Sequence, residues 1–163
     1  MQDDCGEDQS CLNTNGSYLC VPTPCPDDFE RDNLSGQCVQ MCASQSSGKC
    51  TDDATVAQTI SYTLLPLKEM PSFVEPILKV VSYDLQRMPL LYTKFSFVER
   101  GPMNDHFVLE TIPHKMGIAY LYARPTIQTE RLYKLQVVGH SYDENGDALL
   151  YVTQFVVYVF VAE

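Results

Sequence analysis

Residues 11–20 read Cys-Leu-Asn-Thr-Asn-Gly-Ser-Tyr-Leu-Cys, and this stretch decides how the N-terminal part folds. Its Asn15-Gly16 dipeptide favours a type I′ hairpin turn, and Tyr18 is an aromatic residue that can pack beside that turn. Large aliphatic residues are scarce around it, so burial of a core alone would not hold this part together. Segments of this size usually need covalent or metal links. The stretch therefore predicts a hairpin stabilised by its cysteines.

The chain divides into two unlike parts. All seven cysteines of the 163 residues lie within the first 50. Residues 1–53 carry ten acids and two bases, whereas residues 54–163 carry eleven acids and nine bases. The formal charge of −10 thus belongs mainly to the N-terminal part. We expect a small module at residues 1–50, a boundary at residues 51–55, and a second domain at residues 54–163.

The charge and the hydropathy pattern exclude several partners. The acidic balance argues against nucleic acid or an anionic membrane as the main partner, because both require a basic surface. No apolar run reaches the roughly 18 residues that a membrane-spanning helix requires. We therefore predict no nucleic-acid partner and no membrane span.

The C-terminal part has the pattern of an antiparallel β-sandwich or barrel, so the chain as a whole is predicted to be mainly β. In residues 132–141, Tyr133, Leu135 and Val137 alternate with polar residues, which indicates a half-buried strand. A turn cluster at residues 143–147 follows, and residues 149–161 form a strand too apolar for a solvated face. The earlier strand candidates are residues 58–65, 77–83, 92–98, 106–111 and 117–122. Residues 75–83 are the nearest candidate for a helix.

The cysteine spacing favours disulfides over zinc. Zinc sites prefer Cys-x-x-Cys or Cys/His pairs. Here the gaps between cysteines are 5, 8, 4, 12, 3 and 7 residues, and all three histidines lie beyond residue 105. A disulfide framework implies an oxidising, extracellular compartment. An odd count of seven leaves one cysteine over.

Two features of the cysteine pattern resemble a known family. Residues 11–20 are similar to the stretch between the third and fourth cysteines of a calcium-binding EGF-like module, which commonly reads Cys-x-Asn-Thr-x-Gly-Ser-aromatic-x-Cys. The four-residue gap from Cys20 to Cys25 is longer than the single residue usual in such modules. That gap, two extra cysteines and a cysteine-free β-rich domain resemble the C-terminal region of the fibulins and hemicentins.

The resemblance implies a disulfide pairing. The EGF pattern predicts the bonds Cys5–Cys20 and Cys25–Cys38, and a further small loop closed by Cys42 and Cys50. It leaves Cys11 over, because the expected partner of Cys11 would lie upstream of Met1. The resemblance thus predicts a truncated piece of a longer secreted protein.

The resemblance also implies a calcium site, with Asn13 as a side-chain ligand and Thr14 and Ser17 as carbonyl donors. The acidic segment that completes such a site should lie upstream, so the site is incomplete in this chain. The alternative interpretation is that Asn13 only stabilises a turn. Calcium is therefore the cofactor predicted for the intact protein.

Two sequons, at Asn15 and Asn33, predict N-linked glycosylation in a secreted module.

Two functions remain open at this stage. The resemblance implies a non-enzymatic glycoprotein of basement membranes and elastic fibres that binds other matrix proteins and could self-associate. The alternative is a secreted EGF-like ligand for a cell-surface receptor, which would need a complete six-cysteine module. Catalysis is not expected, because His106, His114 and His140 are scattered and no catalytic motif is present.

Overall fold

The computed structural model describes residues 5–14, 16–32, 36–40, 56–84, 86–98, 104–111 and 117–163. These residues form eleven strands and one turn of 3-10 helix at Asn104–His106, which confirms the prediction of a mainly β fold. The strands are β1 (Gln9–Asn13), β2 (Tyr18–Pro22), β3 (Phe29–Arg31), β4 (Cys38–Gln40), β5 (Ala57–Leu67), β6 (Leu78–Val81), β7 (Thr93–Phe97), β8 (Phe107–Thr111), β9 (Ile118–Ala123), β10 (Leu132–Tyr142) and β11 (Leu149–Val161).

The strands form three sheets. β1 and β2 make a separate hairpin, and the other nine strands form a six-stranded sheet and a three-stranded sheet. The six-stranded sheet has the order β3-β4-β5-β11-β10-β7, and the three-stranded sheet has the order β6-β9-β8. One apolar core joins the two sheets, with Leu121 and Phe107 from the smaller sheet and Leu135 and Val157 from the larger. The result is the predicted sandwich.

The hairpin formed by β10 and β11 is confirmed in detail. The two strands pair antiparallel from Leu132 opposite Phe160 to Tyr142 opposite Leu149, with a bulge between Ser141 and Tyr142. Tyr133, Leu135 and Val137 are buried, and the residues between them are exposed, as the alternation predicts. The polar cluster forms the turn, in which Asp143 N–H donates to the Ala148 carbonyl at 2.9 Å.

Residues 77–83 contain a strand, as one of their two sequence assignments predicts, and one pair of strands departs from the predicted antiparallel arrangement. Residues 75–83 form no helix, because alternate residues of β6, Leu78 and Val80, face the core and the strand pairs with β9. The larger sheet is also not wholly antiparallel, since β5 and β11 run parallel from Ala57 opposite Tyr151 to Leu67 opposite Val161. Parallel pairs suit strands that are covered on both faces, and β11 is such a strand.

The larger sheet continues into the N-terminal part. Cys38 and Val39 of β4 pair with Ile60 and Thr59 of β5. The predicted boundary at residues 51–55 lies outside the described residues. A second apolar cluster covers the outer face of the sheet and joins Leu12 and Val21 of the hairpin to Val156, Tyr158 and Phe160 of β11. The N-terminal hairpin therefore lies against the sandwich.

Candidate functional site

The turn of the β1–β2 hairpin carries the predicted calcium ligands. Cys11 lies opposite Cys20 and Asn13 lies opposite Tyr18 in the register of the two strands. Gly16 has a φ of 101°, the left-handed backbone that a type I′ turn requires there. The hairpin thus forms as the Asn15-Gly16 dipeptide predicts, although Asn15 itself lies outside the described residues.

The three predicted calcium ligands lie together at the end of this hairpin. Asn13 and Ser17 are exposed, and Thr14 is half-buried. Thr14 N–H donates to the Ser17 carbonyl at 3.0 Å, which occupies one of the two acceptor positions of that oxygen. Calcium takes six to eight oxygen ligands, so these residues can supply part of a coordination shell and further ligands must complete it. The calcium site stays a prediction.

Two of the three predicted disulfides are present. Cys5 is bonded to Cys20 and Cys25 to Cys38, with Cα–Cα distances of 5.5 and 5.4 Å. The third predicted pair, Cys42 and Cys50, and the sequon at Asn33 lie outside the described residues. These two bonds confirm the EGF-like order of the cysteines.

The sulfur atoms of Cys5, Cys11 and Cys20 lie within 4.8 Å of one another. The Cys11 sulfur is 2.8 Å from the Cys5 sulfur, whose covalent bond is to Cys20. Zinc is held by thiolates, and two of these three sulfurs are bonded to each other. The cluster is therefore a disulfide with a third cysteine beside it, and it is not built as a zinc site.

The four residues between Cys20 and Cys25, residues 21–24, are called the linker here. Side chains of Tyr62, Tyr158 and Arg31 bind the linker carbonyls, and we call this contact, which the sequence does not predict, the linker seat. The Tyr158 hydroxyl donates to the Pro22 carbonyl at 2.5 Å, and the Tyr62 hydroxyl donates to the Pro24 carbonyl. The Arg31 guanidinium donates to the Thr23 carbonyl between them. Three successive carbonyls of the linker are thus each held by a side chain, two of which come from the sandwich.

Further contacts fix Thr23 at the centre of the linker seat. Its N–H donates to the Asp8 carbonyl at 2.8 Å, and its hydroxyl lies 2.9 Å from that of Ser10. Thr23 is only 2% exposed. The linker is therefore tied to β1 on one side and to the sandwich on the other.

Burial sets the protonation of the two tyrosines. Desolvation raises the pKa of Tyr62, with Arg31 lowering it and Asp8 raising it by smaller amounts. Desolvation also raises the pKa of Tyr158, and the neighbouring Tyr62 adds to the shift. Both hydroxyls therefore keep their protons at neutral pH and can donate to the linker carbonyls.

The sequence held two signals for the linker seat. Pro22 and Pro24 lack an N–H, so strand pairing ends with β2 inside the linker, and the linker carbonyls can accept from other donors. β11 is apolar on both faces, with Val157 and Val159 facing the sandwich core and Val156 and Tyr158 facing outward. The outward apolar face of β11 must be shielded from water, and the β1–β2 hairpin packs on it.

Two of the three histidines lie within the described residues. His106 Nδ1 lies 2.8 Å from the Thr126 hydroxyl, and its ring packs edge-on against Tyr133 with the centroids 5.4 Å apart. His140 is half-buried on β10, and His114 lies outside the described residues. His106 ends the 3-10 turn before β8 of the smaller sheet, whereas His140 lies on β10 of the larger sheet, so the two do not belong to one strand or sheet. No helix within the described ranges is long and apolar enough to cross a membrane.

Comparison with known proteins supports the resemblance. Hemicentin-1 of Homo sapiens is 28% identical over 164 residues, and hemicentin-1 of Mus musculus is 30% identical over 158 residues, each covering 97% of this chain. Hemicentin-2 of Mus musculus is 28% identical over 134 residues and covers 82%. The chain spans only 2–3% of the length of these relatives. No protein-family model and no solved structure matches it.

The similarity covers 97% of the chain and therefore includes both the cysteine-rich hairpin and the sandwich. The disulfide order, the four-residue linker and the cysteine-free sandwich are the features on which the resemblance was based. The similarity to hemicentins over nearly the whole chain therefore supports its assignment to the C-terminal region of the hemicentin and fibulin family.

Proposed function

We propose that this chain is a non-enzymatic part of a secreted extracellular matrix glycoprotein that binds other matrix proteins. The observation that carries the proposal is the similarity to hemicentins across both the cysteine-rich part and the sandwich. In this role the hairpin acts as a disulfide-stabilised spacer and the sandwich as the docking head.

The linker seat supports a mechanical role. A spacer can pass tension or orientation to a docking head only if the two parts are fixed to each other. Here the Tyr62 and Tyr158 hydroxyls hold the linker, and Val39 of β4 pairs with Thr59 of β5. The spacer therefore meets the head through both a sheet and a hydrogen-bonded seat.

The proposal is tested by deposition into matrix. The chain is secreted from cultured fibroblasts behind a heterologous signal peptide, and its fraction in the detergent-insoluble matrix is compared with that in the medium. We expect retention in the matrix, against a secreted globular control of similar size that stays in the medium. Recovery of the chain wholly in the medium would contradict the proposal. A receptor response of the same cells to the purified chain would favour the ligand function instead.

The calcium part of the proposal has its own test. We propose that Asn13, Thr14 and Ser17 bind calcium, so calcium should raise the melting temperature of the chain relative to the same sample in EDTA. Asn13→Ala should abolish this increase. Asn145→Ala is the matched control, because Asn145 is an exposed asparagine in the turn of the other hairpin. An equal calcium response in Asn13→Ala and the parent chain would exclude this site.

Glycosylation at Asn15 and Asn33 is the remaining part of the proposal. Peptide mass spectrometry of the secreted chain before and after removal of N-glycans should show both sequons occupied. If the Asn15 and Asn33 peptides of the secreted chain are unmodified, the glycosylation proposal is wrong, whereas the matrix and calcium proposals are unaffected.

A further inference from the structure

Strand β6 forms one edge of the three-stranded sheet. It pairs antiparallel with β9 along all four of its residues, and among the described strands none pairs with its other side. The edge of a sheet presents backbone N–H and C=O groups that can pair with another strand. β6 therefore offers a short template for strand addition.

A cavity of about 220 Å³ runs along this edge. Leu78, Lys79, Val80 and Val81 all line it, although successive side chains of a strand point to opposite faces. Four consecutive residues can face one space only along the edge of their strand. The cavity therefore lies where an added strand would run, and we call it the β6 groove.

The opposite wall of the β6 groove is the inner face of the larger sheet. Thr59, Ser61 and Thr63, which alternate along β5, line it together with Thr153 and Phe155 of β11. Further along β5, Leu65 and Leu67 on the same face pack into the apolar core. The three-stranded sheet thus covers the apolar end of β5, and the hydroxyl-bearing end faces the groove.

The hydroxyl lining indicates what kind of group would face β5. The Thr59 hydroxyl donates to the Thr153 hydroxyl at 3.2 Å, so this wall already supports hydrogen bonds between side chains. Hydroxyl groups can both donate and accept, and an arriving serine, threonine or asparagine side chain could bond to them. A large apolar side chain would instead bury these hydroxyls against carbon.

We propose that the β6 groove binds an extended peptide segment, which adds a fourth strand beside β6. Its inward side chains are hydroxyl or amide groups facing β5, and its outward side chains are acidic and lie beside Lys79. This inference rests on the proposed adhesive function and gives the partner of the sandwich a place to dock. Main-chain hydrogen bonds would supply affinity, and the alternating side chains would supply specificity.

Charge favours an acidic segment over a second copy of this chain. Lys79 is exposed on β6, and lysines on edge strands oppose self-pairing. Because β6 has only four residues, pairing of two β6 strands would bring two Lys79 side chains close together. An acidic side chain at the same place is attracted instead. Tyr83, which is 46% exposed and also lines the groove, provides an aromatic surface at its end.

The test is a titration of the ¹⁵N-labelled chain with a capped hexapeptide of alternating threonine and glutamate. We expect amide shift changes in β6 and in the hydroxyl-bearing part of β5. The same peptide with every backbone nitrogen methylated cannot donate a strand hydrogen bond from either edge, and should bind at least about tenfold more weakly, equivalent to about 1.4 kcal/mol. A threonine–lysine hexapeptide should also bind more weakly than the acidic one.

Two variants make the test specific. Lys79→Glu changes an exposed side chain and should reverse the preference between the acidic and basic peptides. Ser61→Leu narrows the groove from the β5 side and should weaken both peptides. Unperturbed β6 amides, equal binding of the methylated peptide, or an unchanged preference in Lys79→Glu would each overturn the proposal. The titration contains no matrix component, so its failure leaves the result of the deposition assay standing.

Discussion

The two regions of this chain reach stability by different means. The sandwich buries a continuous apolar core, which includes Leu121, Leu135 and Val157, all 0% exposed. The cysteine-rich region at residues 5–40 buries few apolar side chains, chiefly Leu12 and Val21, and is held by two disulfides. Its buried residues do not form a core of their own, because they pack on the outer face of β11. The cysteine-rich region therefore depends on its packing against the sandwich as well as on its disulfides.

This dependence changes what is expected of unfolding. The sequence alone predicts that the sandwich keeps its own melting transition, since it contains no cysteine. The shared sheet and the linker seat lead us to expect coupled unfolding instead, because β11 is covered on both faces only when the hairpin is docked. The predictions below test how strongly the two regions are coupled, from the largest expected effect to the smallest.

Leu135→Ala in the sandwich core should have the largest effect, lowering the free energy of unfolding by about 2–5 kcal/mol. Leu135 is fully buried between the two sheets, so the smaller side chain leaves a cavity. Urea unfolding followed by circular dichroism measures the loss. Gln136→Ala, at the next and exposed position, should change it by less than about 0.5 kcal/mol. At a urea concentration that unfolds the sandwich of Leu135→Ala, the amides of β1 and β2 should also lose their protection from hydrogen exchange. If those amides stay protected, the two regions are not coupled.

Removal of the Cys25–Cys38 bond by Cys25→Ser with Cys38→Ser should lower stability by about 2–4 kcal/mol, the usual contribution of one disulfide. Cys38 is buried and lies opposite Ile60 of β5, so the disturbance reaches the sandwich. We expect calorimetry to show one transition that moves as a whole. An upper transition at the unchanged temperature would instead support two independent regions, as the sequence alone predicts.

Tyr158→Phe tests the linker seat directly. The substitution leaves the ring in the outer apolar cluster but removes the donor to the Pro22 carbonyl, so we expect a loss of about 1–3 kcal/mol. Tyr62→Phe should cost less, because Tyr62 is only half-buried. The double variant measures whether the two hydroxyls act together. Tyr151→Phe, near the start of β11, is the control. An equal loss of stability in Tyr151→Phe would show that the linker seat makes no particular contribution.

Much of the sandwich can be predicted from local pattern, and the β10–β11 hairpin shows why. Its strands alternate regularly, its turn is marked by Asp143 and Gly146, and the partners are adjacent in sequence. The parallel pairing of β5 with β11 could not be predicted in this way, since neither strand carries a mark of a partner so distant along the chain. β6 was ambiguous because four residues are too few for a period to be recognised.

The candidate site was predicted unevenly for a similar reason. The order of the cysteines predicts Cys5–Cys20 and Cys25–Cys38 through the family resemblance, and both bonds form. The linker seat depends on tyrosines that are distant in sequence from the linker and become its neighbours only after folding. The apolar outer face of β11 showed that something covers it, but the pattern of one strand does not identify the cover.

Alkaline pH should weaken the linker seat. Burial raises the pKa of both Tyr62 and Tyr158 above the usual value of 10.0, so their contribution is complete below that pH and is lost as pH rises through the folded pKa. In that range the unfolded chain releases protons that the folded chain retains. The difference in melting temperature between the parent chain and the Tyr62→Phe, Tyr158→Phe double variant should therefore narrow above pH 10.0. A constant difference would mean that the hydroxyls do not hold the two regions together.

The smallest effect is expected in the β10–β11 turn, far from the linker seat. Asp143 Oδ1 accepts from Asp147 N–H at 2.9 Å and from Asn145 N–H at 3.2 Å. The hydrogen bond from Asp147 is the largest of the causes that lower the pKa of the exposed Asp143 carboxyl below 3.8; desolvation opposes it, and the backbone of Ala148, Asn145 and Gly146 lowers the pKa by smaller amounts. The contribution of the carboxylate is therefore present above that pH and is lost as pH falls through its folded pKa.

Asp143→Asn keeps an oxygen acceptor but removes the charge, so it should lower the melting temperature slightly at pH 7 and not at all once the carboxyl is protonated. Glu144→Gln removes a charge from the same turn but keeps the acceptor of these bonds, so its melting temperature at pH 7 should equal that of the parent chain. Amide protection in β1 and β2 should be unchanged in both variants, because the turn contacts neither strand in the observed pairing. Loss of that protection in Asp143→Asn would show that coupling between the two regions extends through the whole length of β11, beyond the residues that the linker and the hairpin cover.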